Sequence, residues 1–278
     1  MTQRLLSRYQ KVLTWLALPV ILSRLFEANA RRRRPVSKLP LLRMALKSTM
    51  TSHRVQTASH YYEHLTMISA FLGMPEDVPG VVVECGCFKG GSTINLSMGA
   101  KLAGRELHVY DSFAGLPDPE EGDLAHTLLG RPVVHTYEAG MYAGSLPEVR
   151  ANVEKHGKAE VVSFHPGFFS ESMAGFDTPV VTAFVDVDLV SSLEDTVRAI
   201  WPKLADGGSF FIHEAEHQEM VDFFYDVSWW RENLGVDAPG LIGGGTGIGL
   251  EPQDGVWGSG LAVSVKNPRV REYEVVAG

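Results

Sequence analysis

Five short runs rich in β-branched and aromatic residues recur along this chain, and their spacing limits it to one fold class. They are GVVVECG (80–86), ELHVYDSF (106–113), VVSFHPGFF (161–169), PVVTAFVDVDL (179–189) and GSFFIHEA (208–215). Such near-continuous apolar strands are buried on both faces, as in parallel sheets. Helical segments supply the cover: ASHYYEHLTMISAFLGM (58–74) has helical apolar spacing and is stopped by Gly73 and Pro75, GGST (90–93) opens a helix, and SSLEDTVRAIWPKLADGG (191–208) reads as another. Strands alternating with helices predict an α/β, doubly wound, mostly parallel sheet of the Rossmann-like kind. With 278 residues and 45% hydrophobic content, the chain is long enough for one such domain and extensions.

Ligands bind such sheets at the carboxyl ends of the strands, so the residues leaving each strand carry the functional expectation. The first strand ends at Glu84 and Gly86 and leads to Gly90, Gly91, Ser92 and Thr93 at a helix start. This is not G-x-G-x-x-G, and an acid there repels a pyrophosphate and favours a cationic ligand such as S-adenosylmethionine. After the second strand, Asp111 is placed to accept ribose hydroxyls and Phe113 to lie against an adenine. The fourth ends in Asp186 and Asp188, which alternation puts on one face roughly 7 Å apart. Two carboxylates there hold a cation or take a proton; the plainer reading is a helix cap and a solvated acid.

Charge is divided unevenly. Residues 1–54 hold 12 lysines and arginines against Glu27 alone, about +11, so a chain of net −8 leaves about −19 for residues 55–278. The chain is therefore read as a basic, partly apolar helical arm (1–54) on an acidic domain (55–278). VLTWLALPVIL (12–22) is too short and too interrupted to span a bilayer but can lie at its surface. Peripheral contact with an anionic membrane is one expectation for the arm; packing on the domain or a second subunit is another. A secretory leader is a third, against which four arginines (31–34) follow the Ala28-Asn29-Ala30 site. Cys85 and Cys87 form no zinc or C-x-x-C pattern and read as buried thiols in a reducing compartment. The expected location is cytoplasmic, at most at the inner membrane surface, with no nucleic-acid partner and a homo-oligomeric state.

PGVVVECGCFKGGSTI (79–94), DSFAGLPDP (111–119), FVDVDLVSSLEDT (184–196) and LADGGSFFIHE (204–214) together resemble the macrocin O-methyltransferase family. Its members methylate sugar hydroxyls of natural products with S-adenosylmethionine and Mg²⁺. The resemblance covers about residues 55–225. It implies a cofactor site made by Glu84, Gly86, Lys89, Gly90, Ser92, Asp111, Ser112 and Phe113. It further implies Asp186 as a metal ligand and Asp188 as general base. Where the family's fifth strand ends in Asp-Asp, this chain has His213 and Glu214, and Val190 stands for a tyrosine. A metal set of Asp186, His213 and Glu214 suits Mn²⁺, Fe²⁺ or Zn²⁺ better than Mg²⁺.

The expected activity is O-methyl transfer to a hydroxyl of a sugar, natural product or glycolipid, with catalytic roles for Asp186, Asp188 and His213. A metal-free variant would use His213 as base. Glu216 and His217 extend the acid and histidine cluster or begin an ordinary helix. Trp229 and Trp230 are candidates for acceptor stacking or, more simply, core packing; Gly243 to Gly247 read as a loop, and residues 255–276 as closing antiparallel strands. Rival readings are a nicotinamide dehydrogenase, for which the glycine fingerprint is missing, and a non-catalytic scaffold that keeps a nucleoside pocket.

Overall fold

The computed structural model describes residues 18–128, 131–134, 136–215, 217–242 and 260–267. Residues 18–30 are helical (α1), followed by α2 (Lys38–Ser48), a 3-10 turn (Thr51–His53) and α3 (Tyr61–Gly73). The sheet begins with β1 (Val81–Cys85), α4 (Gly91–Ala103) and β2 (Leu107–Asp111). A short helix α5 (Glu121–Leu124) and a hairpin of β3 (Ala125–Leu128) with β4 (Arg131–Val134) then interrupt the alternation. It resumes with α6 (Leu146–His156), β5 (Val162–Pro166), α7 (Phe169–Ser172), β6 (Val180–Val185), α8 (Val190–Ile200) and β7 (Leu204–Ile212). Helices α9 (Gln218–Phe223) and α10 (Val227–Leu234) precede β8 (Ala262–Val265).

The main sheet has the order β5-β2-β1-β6-β7-β8, parallel except for the antiparallel β7/β8 pair. This is the α/β class that the strand and helix alternation predicts. Strand residues alternate between two apolar layers. Val82, Phe184 and Phe211 pack with Leu65, Ile68 and Phe71 of α3 and Ile94 of α4, whereas Val83, Val185 and Phe210 pack with Leu193, Val197 and Trp230 beyond the other face. Both faces are dry, so strands without polar alternation are stable here. Cys85 and Cys87 are buried free thiols.

Several boundaries differ from the sequence reading. The helix expected over 191–208 ends at Ile200, because Pro202 has no N–H to donate, and β7 starts at Leu204. The helix before β1 starts only at Tyr61, fixed by a capping box in which the Glu63 carboxylate accepts the His60 amide at 2.7 Å. The hairpin at 125–134 lacked a sequence signal: its strands are four residues each and one contains Pro132. Trp230 is fully buried, donates its indole N–H to the Phe223 carbonyl at 2.8 Å and meets Trp201 edge-on, so it is core. Residues 243–247 and most of the closing strands lie outside the described residues; β8 is the antiparallel edge expected there.

The basic segment is partly built into the domain. Leu25, Leu41, Met44 and Ala45 are buried in the same layer as α3 and α4. Nor is the arginine run a uniform solvated linker. Arg32 is nearly enclosed, pairs with Glu76 at 2.8 Å and donates to the carbonyls of Leu72 and Ala103, at the last turns of α3 and α4. Cations there satisfy orphan carbonyls and suit the negative end of the helix dipole. No helix among the described residues is long and apolar enough to cross a membrane.

Candidate active site

The chain reverses direction across the sheet between β1 and β6, and a crevice opens outside the carboxyl ends of strands at such a switch point. The two strand ends meet closely: the Asp186 amide donates to the Cys85 carbonyl at 2.9 Å. Gly86 has φ +80°, and a Cβ there would sit 1.9 Å from the Asp186 carbonyl oxygen. Only glycine permits this approach.

A cavity of about 690 Å³ occupies the crevice. Its wall brings together Gly86, Ser92, Asp111 and Ser112 from the first two strand ends with Asp186, Asp188 and Glu214 from β6 and β7. Both Asp111 oxygens are held: one accepts the Cys87 amide and the other the Phe113 amide, each at 2.7 Å. The carboxylate is therefore fixed in orientation and keeps lone-pair capacity for further donors. Ser92 lies at the start of α4, where unpaired backbone N–H groups favour an anionic ligand group.

Other expected site residues stand apart from this wall. Glu84 alternates to the same face as Val82 and is fully enclosed beneath α4, with no hydrogen bond to either oxygen. Burial raises its pKa to about 8, only partly countered by the nearby Ser92 and Thr93 hydroxyls. Lys89 turns toward Glu148 (3.9 Å) and the Phe88 ring, Gly90 serves as the left-handed N-cap of α4, and Phe113 packs edge-on against Phe164. None of these four lines the cavity.

At the β6 and β7 tips, the strand geometry assumed for the two aspartates does not apply. β6 ends at Val185, and Asp188 takes a left-handed backbone (φ 58°), as does Glu214 (φ 62°). Left-handed non-glycine residues are strained, and such strain gathers at functional sites. The bends turn both acids into the cavity wall. Nor does an aspartate from this strand end occupy the α8 cap position: that position is Leu189, and the Ser191 amide is received by Asp123 of α5.

Asp186, His213 and Glu214 converge, each offering one ligand atom within 4.8 Å of the others. His213 Nδ1 is 3.0 Å from Glu214 and 3.5 Å from Asp186. The ring sits behind the two acids rather than in the cavity wall, edge-on to Phe184, and its Nε2 faces the buried Glu63 carboxylate at 3.8 Å. Burial alone would lower the His213 pKa, but Asp186, Glu214 and Glu63 hold it well above its ordinary value. Burial raises that of Asp186, with His213 opposing and Glu214 and Glu63 adding. Glu63 was missed in the sequence because it comes from a helix preceding the first strand; its capping-box position was the one available signal. His217, buried and in the cavity wall, is at the N-cap of α9; Glu216 lies outside the described residues. Trp229 is half-buried under Arg198, outside the cavity wall.

The profile of the family described as macrocin-O-methyltransferase (TylF) matches residues 26–240, and so begins inside the basic segment. A tetracenomycin rhamnosyl 4'-O-methyltransferase of Streptomyces olivaceus is 31% identical over 180 residues, 63% of this chain and 67% of that protein. Mycinamicin III 3''-O-methyltransferase of Micromonospora griseorubida is 30% identical over 182 residues, 57% of this chain and 70% of that one. The solved O-methyltransferase NovP shares the fold, with a TM-score of 0.55 at 20% identity over 90% of this chain and 98% of its own. A strand switch point lined by acids, a fitting fold and a family match over most of the chain lead to one conclusion: the protein belongs to the macrocin O-methyltransferase family and is an O-methyltransferase.

Proposed function

We propose that the protein transfers a methyl group from S-adenosylmethionine to a sugar hydroxyl of a natural product or lipid-linked glycoside, with a divalent metal ion at Asp186, His213 and Glu214. The observation that carries this reading is the convergence of those three side chains, with Asp186 and Glu214 in the cavity wall beside Asp188 and the His213 ring behind them. Donor separations of 3.0 and 3.5 Å suit neighbouring ligands of one ion. A histidine ligand is usually oriented by a carboxylate on its other ring nitrogen, the position Glu63 has. The mixed nitrogen and oxygen set favours Mn²⁺, Fe²⁺ or Zn²⁺ over Mg²⁺.

Bound, the cofactor supplies an electrophilic methyl group and the ion supplies positive charge that lowers the pKa of the acceptor hydroxyl. The chain's own residues then have separable tasks. Asp111 accepts the ribose hydroxyls, and Ser92 with the α4 amides receives the cofactor carboxylate. Asp188 takes the hydroxyl proton as the acceptor oxygen attacks, so no charged acceptor is released to water. Tyr142, Phe168 and Phe169 supply flat apolar surface for a sugar ring, and Glu120 and Asp195 accept hydrogen bonds from its other hydroxyls. A relative described as acting on a rhamnosyl tetracenomycin supports a sugar acceptor. His213 is assigned to the ion and not to proton transfer, because its nitrogens already face Glu63 on one side and Glu214 and Asp186 on the other.

Calorimetric titration with S-adenosylhomocysteine, with and without Mn²⁺, tests the reading. Binding that is lost in Asp111→Ala, with a Mn²⁺ heat absent from Asp186→Ala, is expected. No binding of S-adenosylhomocysteine under any condition would sink the cofactor assignment, and an Mn²⁺ heat unchanged in Asp186→Ala would sink the metal assignment alone.

A further inference from the structure

The outward face of α2 carries an apolar stripe that the described residues leave largely uncovered. Leu41, Met44, Ala45 and Ser48 are buried against the core. On the opposite side Leu39, Leu42, Leu46 and Met50 keep 37–54% of their surface exposed. Leu39, Leu42 and Leu46 follow the i+3 and i+4 spacing of one helix face and Met50 lies just past the helix end, while exposed Lys38, Arg43 and Lys47 flank the stripe. A helix that is apolar toward the core needs only its opposite face to be polar. This one alternates leucines and cations there instead.

The surroundings are basic without relief. No acid occurs between Ala28 and Tyr62. Arg31, Arg34, Lys38, Arg43 and Lys47 make no ion pair among the described residues, while the neighbouring Arg32 and Arg33 are neutralised by Glu76 and Asp77. Lys38 lies over the Phe26 ring at 5.8 Å, which leaves its charge at the surface. Exposed Val20, on α1, adds to the apolar surface of the segment.

We infer that this face of α2 docks in the plane of an anionic membrane surface, with leucines and Met50 entering the headgroup boundary and Lys38, Arg43 and Lys47 pairing with lipid phosphates. Charge complementarity selects this occupant. Amphipathic helices bind bilayers through buried apolar area together with attraction to anionic lipid, and both components are present on one face. A two-fold contact with a second copy would set the same face against itself. That arrangement places cations against cations with no acid on the face to pair them, and a stable dimer needs about 20–30 residues a side. The inference does not depend on the metal or the acceptor; membrane docking would bring the site to lipid-linked glycosides.

Vesicle flotation with the full chain tests it, using phosphatidylcholine vesicles with and without about 30% phosphatidylglycerol, a content chosen to give a strongly anionic surface. Binding to the anionic vesicles only, weakened by salt, is expected. The double variant Leu42→Glu/Leu46→Glu should reduce partitioning at least tenfold, and Arg43→Glu/Lys47→Glu similarly, with circular dichroism melts showing that both variants stay folded, since all four residues are on the exposed side of α2. Three results overturn the inference: no flotation of the parent chain, flotation unchanged in Leu42→Glu/Leu46→Glu, or a shift from dimer to monomer in that variant by sedimentation velocity with vesicle binding unaltered. The last would assign the face to a second copy.

Discussion

The two glutamates beneath the site illustrate how differently one residue type is used. Glu63 holds the far side of the His213 ring while also capping α3, so Glu63→Gln keeps the cap acceptor and loses the charge behind the imidazole. On the proposed metal assignment, Mn²⁺ affinity, read by electron paramagnetic resonance, is expected to fall about 10- to 100-fold in that variant. Glu84 is fully enclosed, and burial raises its pKa to about 8 against the opposing Ser92 and Thr93 hydroxyls. The folded state therefore holds a proton that the unfolded chain releases above about pH 4.5. Stability from this residue declines as pH rises from 4.5 to 8, by about 1.4 kcal/mol per unit. Glu84→Gln, which imitates the protonated form, should gain about 3 kcal/mol over the parent at pH 7 and almost nothing at pH 4.5, in urea titrations of the ligand-free protein. His64 works in the opposite sense. Burial lowers its pKa to about 4, so the stability it contributes as a neutral ring is lost as pH falls from its ordinary 6.5 toward 4.

Elements are defined by which face they hide, and α2 shows this most directly. Leu41→Ala should cost about 2–5 kcal/mol, whereas Leu42→Ala one position on should stay within about 0.5 kcal/mol, measured by urea midpoints. A buried acid ties the insertion between β2 and α6 to the start of α8. Asp123 receives the Ser191 amide at 3.1 Å, the Ser191 hydroxyl at 2.8 Å and the Glu120 amide at 3.0 Å. Asp123→Ala leaves those donors short of a partner, and a loss of about 1–3 kcal/mol is expected. Because Glu120 and Ser191 both line the cavity, hydrogen exchange should quicken at 118–124 together with the start of α8. These contacts join residues 68 positions apart, a distance at which helix and strand periodicity carry no information.

For the whole molecule, the cofactor reading predicts a ligand-dependent stability. S-adenosylhomocysteine at about a hundredfold excess over its dissociation constant should stabilise the fold by about 2.7 kcal/mol, a melting shift of roughly 5–10 °C, and Asp111→Ala should abolish the shift. The doubly wound sheet and its strand tips were legible from the chain, because continuous apolar runs and turn residues are local properties. Gly86, Ser92, Asp111 and Asp186 do lie in the cavity wall, each immediately following or capping an element whose type was readable. Placement of Glu84, Lys89, Gly90 and Phe113 off the cavity wall was not legible, because a residue's position beside a strand end leaves open which way its side chain turns. Glu63 joins His213 across 150 positions, and Arg32 reaches Leu72 and Ala103 from a run of identical neighbours. Sequence alone determined the fold class and which strand ends border the crevice, through local apolar runs and composition. Tertiary structure decided which side chains face one another there, because burial and charge pairing between distant segments arise only once the layers have packed.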